Sequence, residues 1–353
     1  MTATMLTSGA SCPVPLVATD RVQLGHGSGG KMSAALLRER FLPLLDNPVL
    51  RQLGDAGVVP VHGGEIAMST DTFVVSPLVF PGGNIGSLAV HGTLNDLAMM
   101  GARPQFLSTG FVLEEGLPMA TLDRVIAAMA EAARENGVML IAGDTKVVER
   151  GRADGLYVNT TGIGILDDGF RPRPDAVRAG DVLLISGPLA QHGMAIMSAR
   201  EGLEFESQIE SDSACLVPLV ELLRERVGNA VHALRDPTRG GVASALNELA
   251  AASGVGVLLE EASFEVPPAV AAACEMLGLD PLYVANEGVL VAFVEESAAT
   301  QALEALRSHP LGARAIIAGR AVAENAGLVV LRTRIGSRRV VDMLPGDQLP
   351  RIC

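Results

Sequence analysis

Gly25-His26-Gly27-Ser28-Gly29-Gly30-Lys31 is the stretch on which the fold turns, because it satisfies two nucleotide-binding patterns at once. Gly25, Gly27 and Gly30 read as G-x-G-x-x-G, the dinucleotide fingerprint of a doubly wound parallel sheet. That fingerprint needs a buried apolar strand before it, and Arg21-Val22-Gln23-Leu24 makes a poor one. Gly25 to Lys31 also reads as G-x-x-x-x-G-K, but Met32 stands where a Mg²⁺-ligating Ser or Thr belongs. Both patterns fail, so a Rossmann or P-loop architecture is disfavoured and any metal ligands must come from elsewhere. The chemistry survives: a run of glycine N–H groups and a lysine, opening a helix, suits an anion. Gly27, Ser28, Gly29, Gly30 and Lys31 are therefore the expected nucleotide-binding loop, with a plain flexible loop as the alternative.

Outward from this loop the chain alternates between strand and helix patterns. A helix is expected to about Leu45, then strands at 58–61 and 66–75, a helix at 84–100 and a strand at 106–113. Pro118 to Asn136 has the clearest amphipathic period, with Leu122, Val125, Ile126, Met129, Ala130 and Ala133 on one face and Gly137 as its stop. Strands at 138–142 and 156–165 complete a first unit. Gly169 to Gly180 reads as a linker, and a second unit begins at Val182. Its expected elements are a strand at 182–186, helices at 191–201, 213–226, 240–252, 268–277 and 297–307, and strands at 255–260, 289–294, 315–319 and 327–332. This order is an α+β arrangement of α/β layers, not a simple parallel winding. The expected division is a flexible leader at 1–20, domains at 21–168 and 180–335, and a mobile tail at 336–353 that ends on Cys353.

Composition narrows the function classes. The 353 residues suffice for two domains at roughly 150 residues each. With 27 basic and 40 acidic residues the formal charge is −13, which disfavours nucleic acid or an anionic membrane as partner. The absence of Trp and the two Tyr remove most base-stacking platforms. No secretory signal and no apolar run of membrane-spanning length is evident, and the cysteines (Cys12, Cys215, Cys274, Cys353) form no CxxC pair. A cytoplasmic protein with reduced thiols is the expectation.

Five aspartates sit beside glycine, proline, asparagine or hydroxyl residues: Asp55, Asp71, Asp96, Asp144 and Asp236. Singly, each suits a turn or a cap. Together, at expected element ends and beside an anion loop, they suggest a carboxylate set for Mg²⁺, which takes oxygen ligands and keeps substrate phosphates in its shell. Lys146 can neutralise a transferring phosphate or move a proton, and Glu287, between Asn286 and Gly288, is a carboxylate with little structural reason to be there. Surface lysine and exposed turn are the bland readings of those two. Cys353 is a nucleophile on an arm: Val341 to Cys353 is thirteen residues, a reach of about 40 Å when extended, and Pro345 and Pro350 keep it from becoming a helix.

Gly25-His26-Gly27-Ser28-Gly29-Gly30, the run from Thr93 to Ala102, Gly143-Asp144-Thr145-Lys146-Val147-Val148, Asp236-Pro237-Thr238-Arg239-Gly240-Gly241, Asn286-Glu287-Gly288 and the terminal Pro350-Arg351-Ile352-Cys353 together resemble the HypE family of hydrogenase maturation proteins. That family falls in the superfamily of aminoimidazole ribonucleotide (AIR) synthetase, PurM, with selenophosphate synthetase and thiamine-monophosphate kinase. The resemblance runs from about Val22 to Cys353. It implies a two-domain PurM-like fold whose N-terminal domain pairs into a homodimer with a β-barrel-like core and ATP sites at the interface. It further implies ATP-dependent dehydration of an S-carboxamide on Cys353 to an S-cyanide, with ATP and Mg²⁺ as cofactors. The carbamoyltransferase HypF would be the donor, and the HypC–HypD complex would accept cyanide for hydrogenase iron. On this reading Asn95, Thr145 and Arg239 join the glycine loop at the nucleotide, the aspartates hold metal, and Glu287 and Lys146 handle protons.

An amide oxygen leaves poorly, so the ATP γ-phosphate must activate it, and phosphoryl transfer is chiefly positioning and charge neutralisation. The competing reading within the superfamily is an enzyme that phosphorylates a free small molecule and gives Cys353 no role. A carrier without catalysis is a third reading, and it would have no use for the aspartates.

Overall fold

The computed structural model describes residues 24–27, 29–45, 47–166, 169–202, 208–346 and 349–353. The expected leader at 1–20, Arg21 to Gln23 and Ser28 lie outside the described residues.

The chain opens with the turn Leu24–Gly27 and helix α1 (Lys31–Leu36), which continues through a wider turn at Leu37–Phe41 into α2 (Leu42–Leu45). The first sheet uses β1 (Gly57–Val61) and β2 (Gly64–Phe73). A two-stranded ribbon, β3 (Val79–Phe80) and β4 (Gly83–Asn84), leads into α3 (Ile85–Met99). Asn84 caps α3: its Oδ1 accepts from the N–H groups of Gly86 and Ser87 at 2.8 and 3.3 Å. Then follow β5 (Ala102–Glu114), α4 (Met119–Glu135), β6 (Met139–Val148) and β7 (Leu156–Leu166). The sheet order is β1-β2-β7-β5-β6, antiparallel except for the parallel β5–β6 pair.

Alternation decides which face of this sheet is covered. Ala67, Ser69 and Phe73 of β2 and Leu156, Val158 and Thr160 of β7 point inward under α3, whose Leu88, Leu94 and Leu97 are fully buried. Each of those leucines contributes about 2 kcal/mol by leaving water. The other face carries Met68, Phe106, Val112 and Ile165 into solvent. The barrel that the resemblance implies is not closed within one chain: the sheet is open, with β1 and β6 as its edges.

The second domain contains β8 (Val182–Ile185), α5 (Gln191–Glu201), α6 (Val217–Arg226), β9 (Val231–Arg235), α7 (Gly241–Ser253), β10 (Gly256–Glu260), α8 (Pro268–Leu277), β11 (Val291–Val294), α9 (Ala299–Arg307), β12 (Ile316–Val322), β13 (Val329–Arg332) and β14 (Arg338–Val340). Its seven strands run in the order β14-β13-β10-β12-β8-β11-β9. β8 shows why its sequence is a continuous apolar run. Leu183 and Ile185 face a core shared with α5, α7 and α8, while Val182 and Leu184 face one shared with α6 and α9. Ala98 and Met99, at the end of α3, enter that latter core, so the first domain's central helix plugs into the second domain.

Three expectations are corrected. The helix placed at 213–226 begins at Val217, because residues 208–216 run as an irregular strap between the domains. Strand β9 is an addition: His232 interrupts its apolar pattern, yet His232 is buried with Nδ1 2.8 Å from Asp181 Oδ2. The tail boundary at 336 falls inside the sheet, since Arg338–Val340 pairs with β13 and Val341 is fully buried.

Candidate active site

Three distant segments deliver carboxylates to one place. Asp55 lies just before β1, Asp96 in the last turns of α3, and Asp236 directly after β9. One oxygen from each lies within 4.8 Å of the others. Arg235 Nη1 pairs with Asp55 at 2.8 Å, and Ser69 Oγ donates to Asp96 at 2.5 Å. Burial lifts Asp55 to about 8, with Arg235 pulling it down and Asp236 and Glu248 pushing it up. Burial raises Asp236 to about 6 against the pull of Arg235, and Asp96 lies well above the carboxylate range through burial first and Asp236, Asp71 and Asp55 next. One arginine cannot offset three clustered acids, so the set fits a divalent cation with an affinity for oxygen. Asp71 stands alongside on the inward face of β2, its Oδ1 accepting from Thr72 N–H at 2.8 Å. Burial raises it and Arg239 opposes the rise.

A second group faces this cluster. Glu287 is only 2 % exposed, and its Oε1 has no hydrogen-bond partner among the described residues. Burial, then Asp236, Asp71 and Asp212, push it well above its ordinary range, and Arg239 opposes them. Its backbone is fixed from both sides. Asn286 Oδ1 accepts from Ala190 N–H at 2.7 Å, and its Nδ2 donates to the carbonyls of Pro237 and Val284 at 3.1 Å each. The Asp212 carboxylate accepts from the N–H groups of Glu287 and Gly288 at 3.2 and 3.1 Å. Gly288 is required there, because a β-carbon would run into the carbonyl of Asp212.

Cys353 completes the group. It is 8 % exposed and packs with Phe73, Ile85, Ile196 and Ala285. Burial pushes its thiol far up, while Arg239 pulls it down and Glu287, Asp71 and Asp236 push further. The tail expected to be mobile is thus docked, with its terminal sulfur against the acids. The glycine loop reaches the same turn from the other end of the chain: Gly29, at φ +72°, abuts the Arg239 backbone so closely that a β-carbon would sit 2.7 Å from its carbonyl oxygen.

Known proteins align along this whole arrangement. The AIR synthase related N-terminal domain matches residues 53–166, and the C-terminal domain of the same family matches residues 178–331. The carbamoyl dehydratase HypE of Rhizobium leguminosarum bv. viciae is 51 % identical over 337 residues, 96 % of each chain. The chain belongs to the HypE family. A HypE structure in complex with ATP superposes with a TM-score of 0.80 at 48 % identity, covering 93 % of this chain and 98 % of that one. HypE from a HypE–HypF complex gives 0.84 at 46 % identity, covering 88 % of this chain and 100 % of that one.

In this HypE-family chain not every expected site residue joins the cluster. Asp144, Thr145 and Lys146 lie within edge strand β6, where Asp144 and Lys146 form an exposed ion pair with each other. The physical reason is pairing: β6 follows β5 in register through Val148, so these residues extend an open edge and do not end a strand. Lys31 pairs with Asp342, and its N–H donates to the carbonyl of Leu344 at 2.8 Å, so it braces the tail's base. Asn95, expected at the nucleotide, spends its amide on the strap: Nδ2 donates to Ala214 O at 3.0 Å and Oδ1 accepts from Leu216 N–H at 2.7 Å. Asp212, Ser69 and His192 escape sequence reasoning. None stands in a glycine-rich or paired motif, and only folding brings them to the site.

Proposed function

We propose that this chain is an ATP-dependent carbamoyl dehydratase acting on its own Cys353, converting a carbamoyl group on the sulfur to a cyano group. The docked Cys353 carries this reading. A free thiolate is strongly disfavoured at this position, whereas an S-carboxamide is neutral and loses no charge solvation on entering. In the reaction the sulfur–carbon bond stays, the carbonyl oxygen departs on phosphate, and both N–H protons leave as the carbon–nitrogen bond becomes triple. Asp55, Asp96 and Asp236 hold Mg²⁺, with Asp71 beside them, and Mg²⁺ when bound supplies charge neutralisation for phosphates. Arg239 steadies negative charge developing beside the sulfur. Glu287, whose Oε1 has no hydrogen-bond partner among the described residues, accepts one proton from the amide nitrogen in its ionised form, which Arg239 favours, and the departing phosphate takes the other.

The bared apolar face of the first sheet, Met68, Phe106, Val112 and Ile165, supports a homodimer. In that assembly β6 of one copy reaches the site of the other, which gives Asp144, Thr145 and Lys146 their nucleotide and proton roles in trans. The HypE–HypF complex supports HypF as carbamoyl donor, and the family resemblance puts HypC–HypD downstream as cyanide acceptor. Among the described residues no helix is long and apolar enough to cross a membrane. Cys215, Cys274 and Cys353 are free thiols, which supports a reducing, cytoplasmic site of action.

Intact-protein mass spectrometry tests this reading. Incubation with HypF and a carbamoyl donor should add a carbamoyl mass to the C-terminal peptide, and MgATP should then remove the mass of one water. Loss of the carbamoyl group without a dehydrated product would overturn it. So would full ATP turnover by Cys353→Ala on an added small molecule.

A further inference from the structure

The carbonyls of residues 350 to 352 and an oxygen of the Cys353 carboxylate are each met by a donor. Arg200 Nη1 donates to Pro350 O at 2.7 Å, and its Nη2 donates to Arg351 O at 2.7 Å. Ser76 N–H shares Arg351 O at 3.3 Å. His192 Nε2 lies 2.9 Å from Ile352 O, and Val74 N–H donates to Cys353 O at 3.0 Å. His192 is fully buried; the Ile352 carbonyl can only accept, so Nε2 carries the proton, and Ser211 Oγ, 2.7 Å from Nδ1, donates to that nitrogen. Arg200 is itself anchored, donating from Nε and Nη2 to Ser76 O at 3.0 and 2.7 Å.

Two features make this more than ordinary packing. The donors come from both domains, Val74 and Ser76 from the segment after β2 and His192 and Arg200 from α5, so the tail closes the groove between them. Arg351 sits at φ +54°, a left-handed conformation that costs a residue with a side chain about 1 kcal/mol. That kink turns Ile352 and Cys353 into the core, and it is held by Arg351 Nε donating to Val74 O at 3.0 Å and by an ion pair with Asp154.

We propose that Arg200 and His192 are positioning residues that set the register of the tail, reading the carbonyls of residues 350 to 352 so that position 353 and no other presents its side chain to Glu287 and Arg239. The left-handed turn at Arg351 and its bonds to Val74 O and Asp154 keep this register from slipping. A shift of one residue moves the sulfur by about 3.3 Å and turns it to the opposite face. This inference rests on the dehydratase reading above.

The test uses the full-length protein, HypF and a carbamoyl donor, with single-turnover dehydration followed by mass spectrometry. One glycine is inserted either between Ile352 and Cys353 or between Pro345 and Gly346, upstream of the donors. The first insertion should abolish dehydration while carbamoylation persists, and the second should keep the wild-type rate within a few fold. Equal behaviour of the two insertions, both active or both dead, overturns the proposal. Arg200→Lys cannot span three carbonyls, so it should slow dehydration about tenfold and speed iodoacetamide labelling of the uncarbamoylated Cys353 to a similar degree. Wild-type labelling and rate in both Arg200→Lys and His192→Gln would also overturn it. If the wild-type protein itself fails to dehydrate, the dehydratase reading has failed instead, and labelling of Cys353 still reports on docking.

Discussion

Asp96 and Asp144 look interchangeable in sequence, one in Asn95-Asp96 and the other in Gly143-Asp144, yet they end in opposite environments. Asp96 is pressed between a sheet and the second domain, and burial holds its carboxyl well above its ordinary range. Asp144 is exposed on an open edge, where hydrogen bonds from Lys146 and Thr145 N–H hold its carboxyl below that range. The difference teaches that topology assigns the role here. α3 is covered on all sides, and β6 is the last strand of a sheet whose outer face still awaits a cover. A buried acid cluster is complete within one chain; an exposed acid–lysine pair has work only if another surface comes to it.

The sharpest break of that contrast is Asp96→Asn. It replaces a cation-holding carboxyl oxygen of the cluster with an amide of the same volume, and ATP-dependent loss of water from carbamoylated Cys353 should fall by about 10²–10³-fold, with carbamoylation by HypF untouched. A wild-type single-turnover rate would mean that the buried cluster is not the catalytic one. Next, Lys146→Ala should slow dehydration by about 10–10²-fold. Mixing it with a Cys353→Ala chain, which still carries Lys146, should restore tail processing in mixed dimers. No recovery on mixing would place Lys146 in its own subunit's site or in none.

Smaller effects separate packing from chemistry. Asn95→Ala orphans the Ala214 carbonyl and the Leu216 N–H in a buried place and should cost about 2–3 kcal/mol of stability, read by denaturant unfolding. An unchanged midpoint with lost ATP binding would return Asn95 to the nucleotide. His91 gives the smallest effect. Burial depresses it from 6.5 to about 4, so the unfolded chain binds its proton first and the native state loses stability as pH falls through that window. Between pH 7 and 5.5 the wild type should lose about 1 kcal/mol more than His91→Gln. Parallel stability curves would show that His91 is not buried neutral.

Much of the architecture is legible in the residues because it rests on local periodicity. The α4 stripe holds at Leu122, Val125, Met129 and Ala133, though Ile126 and Ala130 of the expected face are exposed and Ala132 is buried in their place, and the uniform apolar run of β8 reports two-sided burial. The motif aspartates are legible as chemistry, and Asp55, Asp96 and Asp236 do converge. What the residues alone leave open depends on where an element lies in its sheet. Nothing local in Met139–Val148 tells an edge strand from a central one, so Asp144 and Lys146 read as a strand end. Asp212 is illegible for another reason: its task is to hold the N–H groups of Glu287 and Gly288, 75 and 76 positions away.

The strap at 208–216 has no regular structure, yet the N–H groups of Ser211, Ser213, Ala214 and Leu216 are all hydrogen-bonded. Ser211 N–H donates to Pro81 O at 2.9 Å, Ser213 N–H to Ser211 Oγ at 3.0 Å, Ala214 N–H to Glu287 O at 3.2 Å, and Leu216 N–H to Asn95 Oδ1. In hydrogen–deuterium exchange these amides should therefore stay protected as long as those of α3. Solvent will mark these positions of an irregular stretch as part of the core that joins the two domains.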